Sequence, residues 1–154
     1  MTNYWLMKSE PSCFSIDDLC NRPKQTAPWD GIRNYQARNF IRDIMRPGDR
    51  AFFYHSSCTP PGIVGIMDIV SAPYPDYTAF DPNSEHPDAS STPENPRWFM
   101  VDVHLQEKFQ HMIALERLRQ YPELEKMPLL RKGNRLSIMP VSVDEWEFIN
   151  KVLA

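Results

Sequence analysis

Fifteen of the 154 residues are proline, and no other feature limits the fold so strongly. Proline fixes its own φ and carries no backbone N–H, so it interrupts helices and suits loops, turns and strand ends. A helical bundle is therefore disfavoured. Pro11 ends the aromatic, apolar run Tyr4–Lys8, which reads as a strand. Pro60-Pro61-Gly62 separates Ala51–His55 from Ile63–Val70; both read as strands and could pair as a hairpin. Six prolines fall in residues 73–96, a loop longer than ordinary connections and of a kind that is often functional or mobile. Arg97–Leu105 reads as a strand. Trp98, Met100, Asp102 and His104 take one face, and Phe99, Val101, Val103 and Leu105 take the other, core face. Asn134–Met139 reads as the last strand, ending at Pro140.

Short helices fill the gaps. Ser15 and Asp18 suit a capping box, with Phe14 placed to staple Leu19. Residues 20–28 read as a polar loop. Asn34 can cap a helix running to about Met45. Its apolar face is Ala37, Phe40, Ile41, Ile44 and Met45, and Pro47-Gly48-Asp49 stops it. Arg38, Arg42 and Arg46 form a stripe beside that face. Residues 114–121 suit a short amphipathic helix. Ser142 to Glu145 is a full capping box, followed by a helix that buries Trp146, Ile149 and Val152 or Leu153. Strands with short intervening helices give an α+β class, a small, strongly curved sheet or open barrel of about five to six strands with peripheral helices. The length is that of one domain, residues 1–154.

The net charge of −3 argues against coating nucleic acid by bulk attraction. The charge is uneven, however. Residues 33–50 hold five arginines against two aspartates, whereas 74–96 hold five carboxylates and no Lys or Arg. No apolar run approaches the ~20 residues that span a bilayer, and the opening residues do not form a signal peptide. Cys13, Cys20 and Cys58 lack metal or disulfide spacing. Reduced cysteines place the chain in the cytoplasm by expectation.

Trp29 to Asn39 packs aromatic rings, arginines and amides into eleven residues, the chemistry for holding a nucleobase. Trp29 could equally be core, and Asn34 could simply cap a helix. Polar groups also gather beside aromatics at other strand ends: Lys8-Ser9-Glu10, Tyr54-His55-Ser56, and Arg135 with Ser137. Such clustering suggests a lined pocket, because buried polar groups require partners. Trp98 is core or pocket wall. Arg38 and Arg42 are a solvated face or phosphate contacts. Glycine-rich phosphate loops, His-Glu-x-x-His and Gly-x-Ser-x-Gly are absent, and the four histidines lack metal-ligand spacing. No catalytic set, metal or cofactor is expected.

Tyr4–Pro11, Trp29–Asn39, Phe53–Ser56, Gly62–Gly65, Tyr74–Asp76, Arg97-Trp98, Arg135–Ser137 and Pro140-Val141 together resemble the EVE domain, over about residues 3–150. The resemblance implies a PUA-like fold, a curved mixed sheet or open barrel. It also implies kinship with YTH domains, which read N6-methyladenine in an aromatic cage. EVE domains are regarded as readers of modified bases, chiefly modified cytosines in DNA, with RNA also proposed. Lys8, Ser9 and Trp29 match the placement of pocket residues in the YTH relatives.

The expected function is a non-enzymatic, monomeric reader of a flipped modified base in nucleic acid, DNA favoured and RNA possible. Trp29 with Tyr54 or Trp98 would sandwich the base. Ser9, Asn34 and Ser56 would read its edge, with Glu10, His55, Arg135 and Ser137 around the pocket. Arg33 and Lys8 would meet a phosphate, and Arg38 and Arg42 would extend that track. The rival is an enzyme acting on a modified nucleotide through His55 with Cys58 or Glu10.

Overall fold

A computed structural model describes residues 2–154. The strands are β1 (Tyr4–Ser9), β2 (Thr26–Pro28), β3 (Arg50–His55), β4 (Gly62–Ile69), β5 (Tyr74–Pro75), β6 (Phe99–Met100), β7 (Asp102–Ala114) and β8 (Ile138–Val141). The α-helices are short: α1 (Ile16–Cys20), α2 (Tyr35–Asn39), α3 (Leu115–Leu118) and α4 (Val143–Phe148). Six strands form one sheet in the order β2-β7-β4-β3-β1-β8, and β5 and β6 form a separate ribbon. β1 runs parallel to β3, while the other pairs are antiparallel. The sheet is thus mixed, a curled half-barrel as expected. Register shifts in β4 against both β3 and β7 add local twist and help the sheet curl.

Alternation along the strands sends side chains to two cores. Trp5, Met7 and Phe53 pack on one face with Trp29, Ile41 and Val103. Leu6, Phe52 and Tyr54 pack on the other with Met139, Trp146 and Ile149. Both faces are covered, so β1 and β3 read as continuous apolar runs rather than as alternating ones.

Both capping boxes form as expected, at Ser15/Asp18 and at Ser142/Glu145. Four expectations are corrected. Residues 26–28 are an edge strand rather than loop, a position that tolerates the missing N–H of Pro28. Arg97–Leu105 is broken: Phe99–Met100 pairs with Tyr74–Pro75, and β7 starts at Asp102. Trp98 and Met100 are consequently as buried as the face assigned to the core. The last strand begins only at Ile138 and carries Pro140 on an edge. The helix after Asn34 ends in a π turn over Phe40–Ile44, with Met45 N–H donating to the Phe40 carbonyl at 2.8 Å. The wider turn rotates the following residues, so Ile44 is exposed while Ile41 and Met45 stay buried. A second π turn, Ile149–Leu153, likewise buries Leu153 and exposes Val152.

Asp49 anchors the start of β3 and is almost wholly buried. Its carboxylate accepts from the Asn3 and Arg46 backbone N–H groups and from Trp5 Nε1, each at 3.0 Å. These bonds join the N-terminal strand to the turn after the π segment. Asp49→Ala orphans three donors, at about 1–3 kcal/mol in all if they become partly solvated. Urea unfolding should show that loss; a change below about 0.5 kcal/mol, the scale of neutral surface substitutions, would contradict the network.

Candidate nucleic-acid interface

A cavity of about 670 Å³ opens at the C-terminal end of β1. Lys8, Ser9 and Glu10 border it from that strand end, and Trp29 to Arg33 from the segment between β2 and α2. Tyr77, Thr78, Glu85 and His86 of the long loop border it as well, and Ser137 closes the rim before β8.

The cavity depends on how residues 29–33 are held. The Trp29 N–H donates to the Val101 carbonyl at 2.8 Å. Its indole packs edge-on against Phe53, centroids 5.3 Å apart, and against Phe14 at 6.2 Å. Only 5% of the residue remains exposed, so the ring belongs to the core and borders the cavity at once. Gly31 adopts φ +79°, and a Cβ there would lie 2.8 Å from His86 Nε2. Only glycine allows the loop to come this close.

Asp76 joins the two walls. Its buried carboxylate accepts from the Gly31 N–H at 2.8 Å, from Arg33 Nη1 at 3.0 Å and from the Thr78 N–H at 2.9 Å. Burial opposes ionisation, yet the bonds from Thr78, Gly31 and Arg33 outweigh it and hold the pKa below the ordinary range. Arg33 Nη2 also donates to the His86 carbonyl at 2.6 Å. Asp30 stands at the rim with Oδ1 3.8 Å from His86 Nε2. Desolvation, then the neighbouring Asp76 charge, raises its pKa.

Of the expected site residues, Lys8, Ser9, Glu10, Trp29, Arg33 and Ser137 border this cavity. The Lys8 pKa is lowered by burial. The Ser9 hydroxyl donates to the Phe14 carbonyl at 2.6 Å. Arg33 cannot serve as a free phosphate contact, because its charge is already paired with Asp76.

The other expected residues lie elsewhere. Asn34 caps α2, its side chain accepting from the Ala37 N–H at 3.0 Å. Tyr54 sits in the core on the opposite sheet face from Trp29, so the two cannot sandwich one ring. Ser56 donates its N–H to the Ser9 carbonyl at 3.0 Å. Trp98 is a buried post for the long loop: Nε1 donates to Asp88 at 2.6 Å, and the ring stacks on Tyr35 with centroids 4.8 Å apart. Arg135 borders a different hollow. Arg38 donates to Asn39 and the Arg97 carbonyl, and Arg42 pairs with Asp43 at 2.8 Å. His55 Nε2 accepts the Ile16 N–H at 3.1 Å and is therefore unprotonated there. Burial lowers its pKa, with Asp17 opposing. Cys58 Sγ turns to the Pro60 carbonyl, so no thiol–imidazole pair forms.

Sequence reasoning missed Asp30, Tyr77, Thr78, Glu85 and His86. The usable signal was the long loop itself; nothing local shows that it folds back over Gly31. Among the described residues, no cluster of His, Cys, Asp or Glu could hold a metal ion.

The EVE domain model matches residues 3–152. The chain belongs to the EVE domain family. Mouse thymocyte nuclear protein 1 is 48% identical over 165 residues, covering 97% of this chain and 73% of that protein. A protein from Pseudomonas syringae solved by X-ray crystallography is 51% identical with a TM-score of 0.91, over 96% of this chain and 97% of its own. The human THYN1 protein, solved in complex with 5-methylcytosine-containing DNA, is 45% identical with a TM-score of 0.90, over 96% and 95% of the two chains. The mixed, curled half-barrel found here is the EVE fold of THYN1. The cytoplasmic location expected from the cysteines is overturned: the mouse, rat and human relatives are named thymocyte nuclear proteins, a name that places those relatives in the nucleus. No helix among the described residues is long and apolar enough to cross a membrane.

Two outcomes follow from this geometry. Asp76 has a depressed pKa, so its contribution is complete above the unfolded carboxyl value and disappears as pH falls through the folded one. Proteolysis of the 74–96 loop should accelerate on acidification below about pH 4 and at neutral pH in Asp76→Ala; equal cleavage of variant and parent would refute the tie. His55 follows the same rule in a higher pH window, because its folded pKa is also lowered. The unfolded chain takes up a proton first, so stability falls as pH drops through about 6.5. In NMR, the His55 ring should titrate below that value; titration at or above it would refute the Ile16 bond.

Proposed function

We propose that this chain is a non-enzymatic reader of a modified cytosine in DNA, with the base flipped into the cavity beside Trp29. One observation carries the reading: a cavity of about 670 Å³ with an aromatic wall and polar rim, in a chain 45% identical to a protein solved with 5-methylcytosine-containing DNA. The volume lies within the ordinary range of small-ligand pockets.

Trp29 gives the cavity an aromatic border that is only 5% exposed, so the exposed Tyr77 on the loop supplies most of the stacking surface. Base stacking on aromatic rings is worth ~1–3 kcal/mol per base. The Asp30 carboxylate suits the exocyclic amine of cytosine, a donor that Asp and Glu commonly accept. Ser9, Ser137 and Glu10 add polar atoms at the rim. A 5-substituent would rest against the apolar wall made by Ile32 and Phe14. The engagement of His55 Nε2 by the Ile16 N–H favours reading over catalysis, since that nitrogen is not available as a base. Flipping costs a few kcal/mol, and the net charge of −3 gives little bulk attraction. A monomer acting alone therefore binds weakly, in the micromolar range.

The test is titration of duplexes carrying cytosine, 5-methylcytosine or 5-hydroxymethylcytosine at one position. A modified duplex should bind more tightly, and Tyr77→Ala should weaken it by roughly fivefold or more. Tyr77 is exposed, so this change spares the core, unlike Trp29→Ala. Asp30→Ala should reduce discrimination. Equal affinity for all duplexes, unmoved by Tyr77→Ala and Asp30→Ala, would end the proposal. A product assay showing turnover that His55→Ala abolishes would favour the enzyme instead.

A further inference from the structure

A second hollow, of about 420 Å³, lies against the other side of the rim. Arg131, Lys132 and Arg135 border it, facing Gln36 and Phe40 of the α2 segment. No carboxylate borders it, although the whole chain is acidic. Among the described residues, none of these three side chains makes an ion pair or hydrogen bond. Five other cations, Arg33, Arg42, Arg50, Lys108 and Lys151, have carboxylate partners; what marks this hollow is that its three cations gather where no carboxylate lines the wall. All three are exposed and lie within five residues of one another, so an anion bound among them would lessen their mutual repulsion.

The loop that presents them is built, not loose. The Asn134 N–H donates to the Arg131 carbonyl at 3.2 Å, and its side-chain oxygen accepts from the Leu136 N–H at 2.9 Å. Its amide also donates to the Pro128 carbonyl. Gly133, at φ +80°, provides the bend. One short segment borders both: Leu136 lines the hollow, and Ser137, the next residue, lines the base cavity. The Lys8 N–H holds the Ser137 carbonyl at 2.8 Å and fixes that partition.

We infer that this hollow seats the phosphodiester backbone of the strand whose base enters the cavity, with Arg131, Lys132 and Arg135 as its phosphate contacts. The inference rests on the base-reading proposal for the neighbouring cavity and relocates the phosphate track expected at Arg38 and Arg42. Those two arginines already engage protein partners, Arg42 at Asp43 and Arg38 at Asn39 and the Arg97 carbonyl. Arginine matches phosphate oxygens through its planar fork, and each neutralised phosphate releases counterions and steepens the salt dependence.

The experiment measures binding of an abasic DNA oligomer and of modified and unmodified duplexes across a salt series. The parent is compared with the Arg131→Ala/Arg135→Ala double variant and with Lys151→Ala, whose ammonium is paired with Glu147 on the C-terminal helix. The double variant should bind the abasic oligomer about tenfold more weakly, and its log K against log salt slope should flatten by roughly one to two. Arg135→Lys should restore part of the slope. Lys151→Ala should match the parent. The inference is overturned if the parent does not bind the abasic oligomer at low salt. It is also overturned if the double variant keeps the parent's slope, or if Lys151→Ala flattens it equally. The base-reading proposal is judged separately, by the ratio of modified to unmodified affinity at fixed salt. The double variant should keep that ratio while losing affinity for both duplexes.

Discussion

The cavity exists because one carboxylate, that of Asp76, is buried between two pieces of chain that have no covalent reason to meet. A buried charge is costly unless it is paired and hydrogen-bonded. Here the Gly31 and Thr78 N–H groups and the Arg33 guanidinium supply that compensation. Each of these partners is a wall residue. The interaction that neutralises Asp76 is therefore the one that folds the proline-rich loop back over Trp29. Arg33 extends the tie to the His86 carbonyl, and Trp98 holds the far limb of the loop through Asp88. Residues that resemble ligand contacts in sequence are in this way used as fasteners.

The sheet explains which polar strand ends meet. β1 and β3 are parallel with Ser9 beside His55, so their C-terminal ends lie together, as a shared pocket would require. The pleat then divides them. Tyr54 follows Phe52 to the face packed by Trp146, while Phe53 goes to the face of Trp29. His55 is drawn aside by the unsatisfied first N–H of α1, a common need at a helix N-terminus. Nearness along the sheet edge brought these residues into one neighbourhood, and side-chain alternation kept most of them out of the cavity.

Much of the fold was legible because its signals are local. Capping boxes at Ser15 and Ser142 form within four residues, and β3 and β4 are dense apolar runs split by Pro60-Pro61. The errors have two causes, capture of a segment by a distant strand and a local change of helix type. Thr26–Pro28 is a strand only because β7 is available to pair with it. Phe99–Met100 leaves the main sheet because Tyr74–Pro75 captures it. Ile44 is exposed because its helix ends in a π turn, which shifts a 3.6-residue pattern by one position; the same device at the C-terminus settles the open choice in favour of Leu153 over Val152. Among site residues, Lys8, Ser9, Glu10, Trp29, Arg33 and Ser137 were found as strand-end neighbours of aromatics. Asp30, Tyr77 and His86 were missed because their role arises from a loop closing across more than forty residues.

The sequence by itself determined the α+β class, the punctuation of the chain by proline, the helix starts and the family, since each rests on short-range backbone preferences or on contiguous motifs. Tertiary structure alone decided which aromatic rings border open space, which arginines are already paired and where unpaired cations gather. Those outcomes depend on burial and charge compensation between segments distant in the chain, and a carboxylate such as Asp76 acquires its partners only when the sheet has curled and the loop has closed.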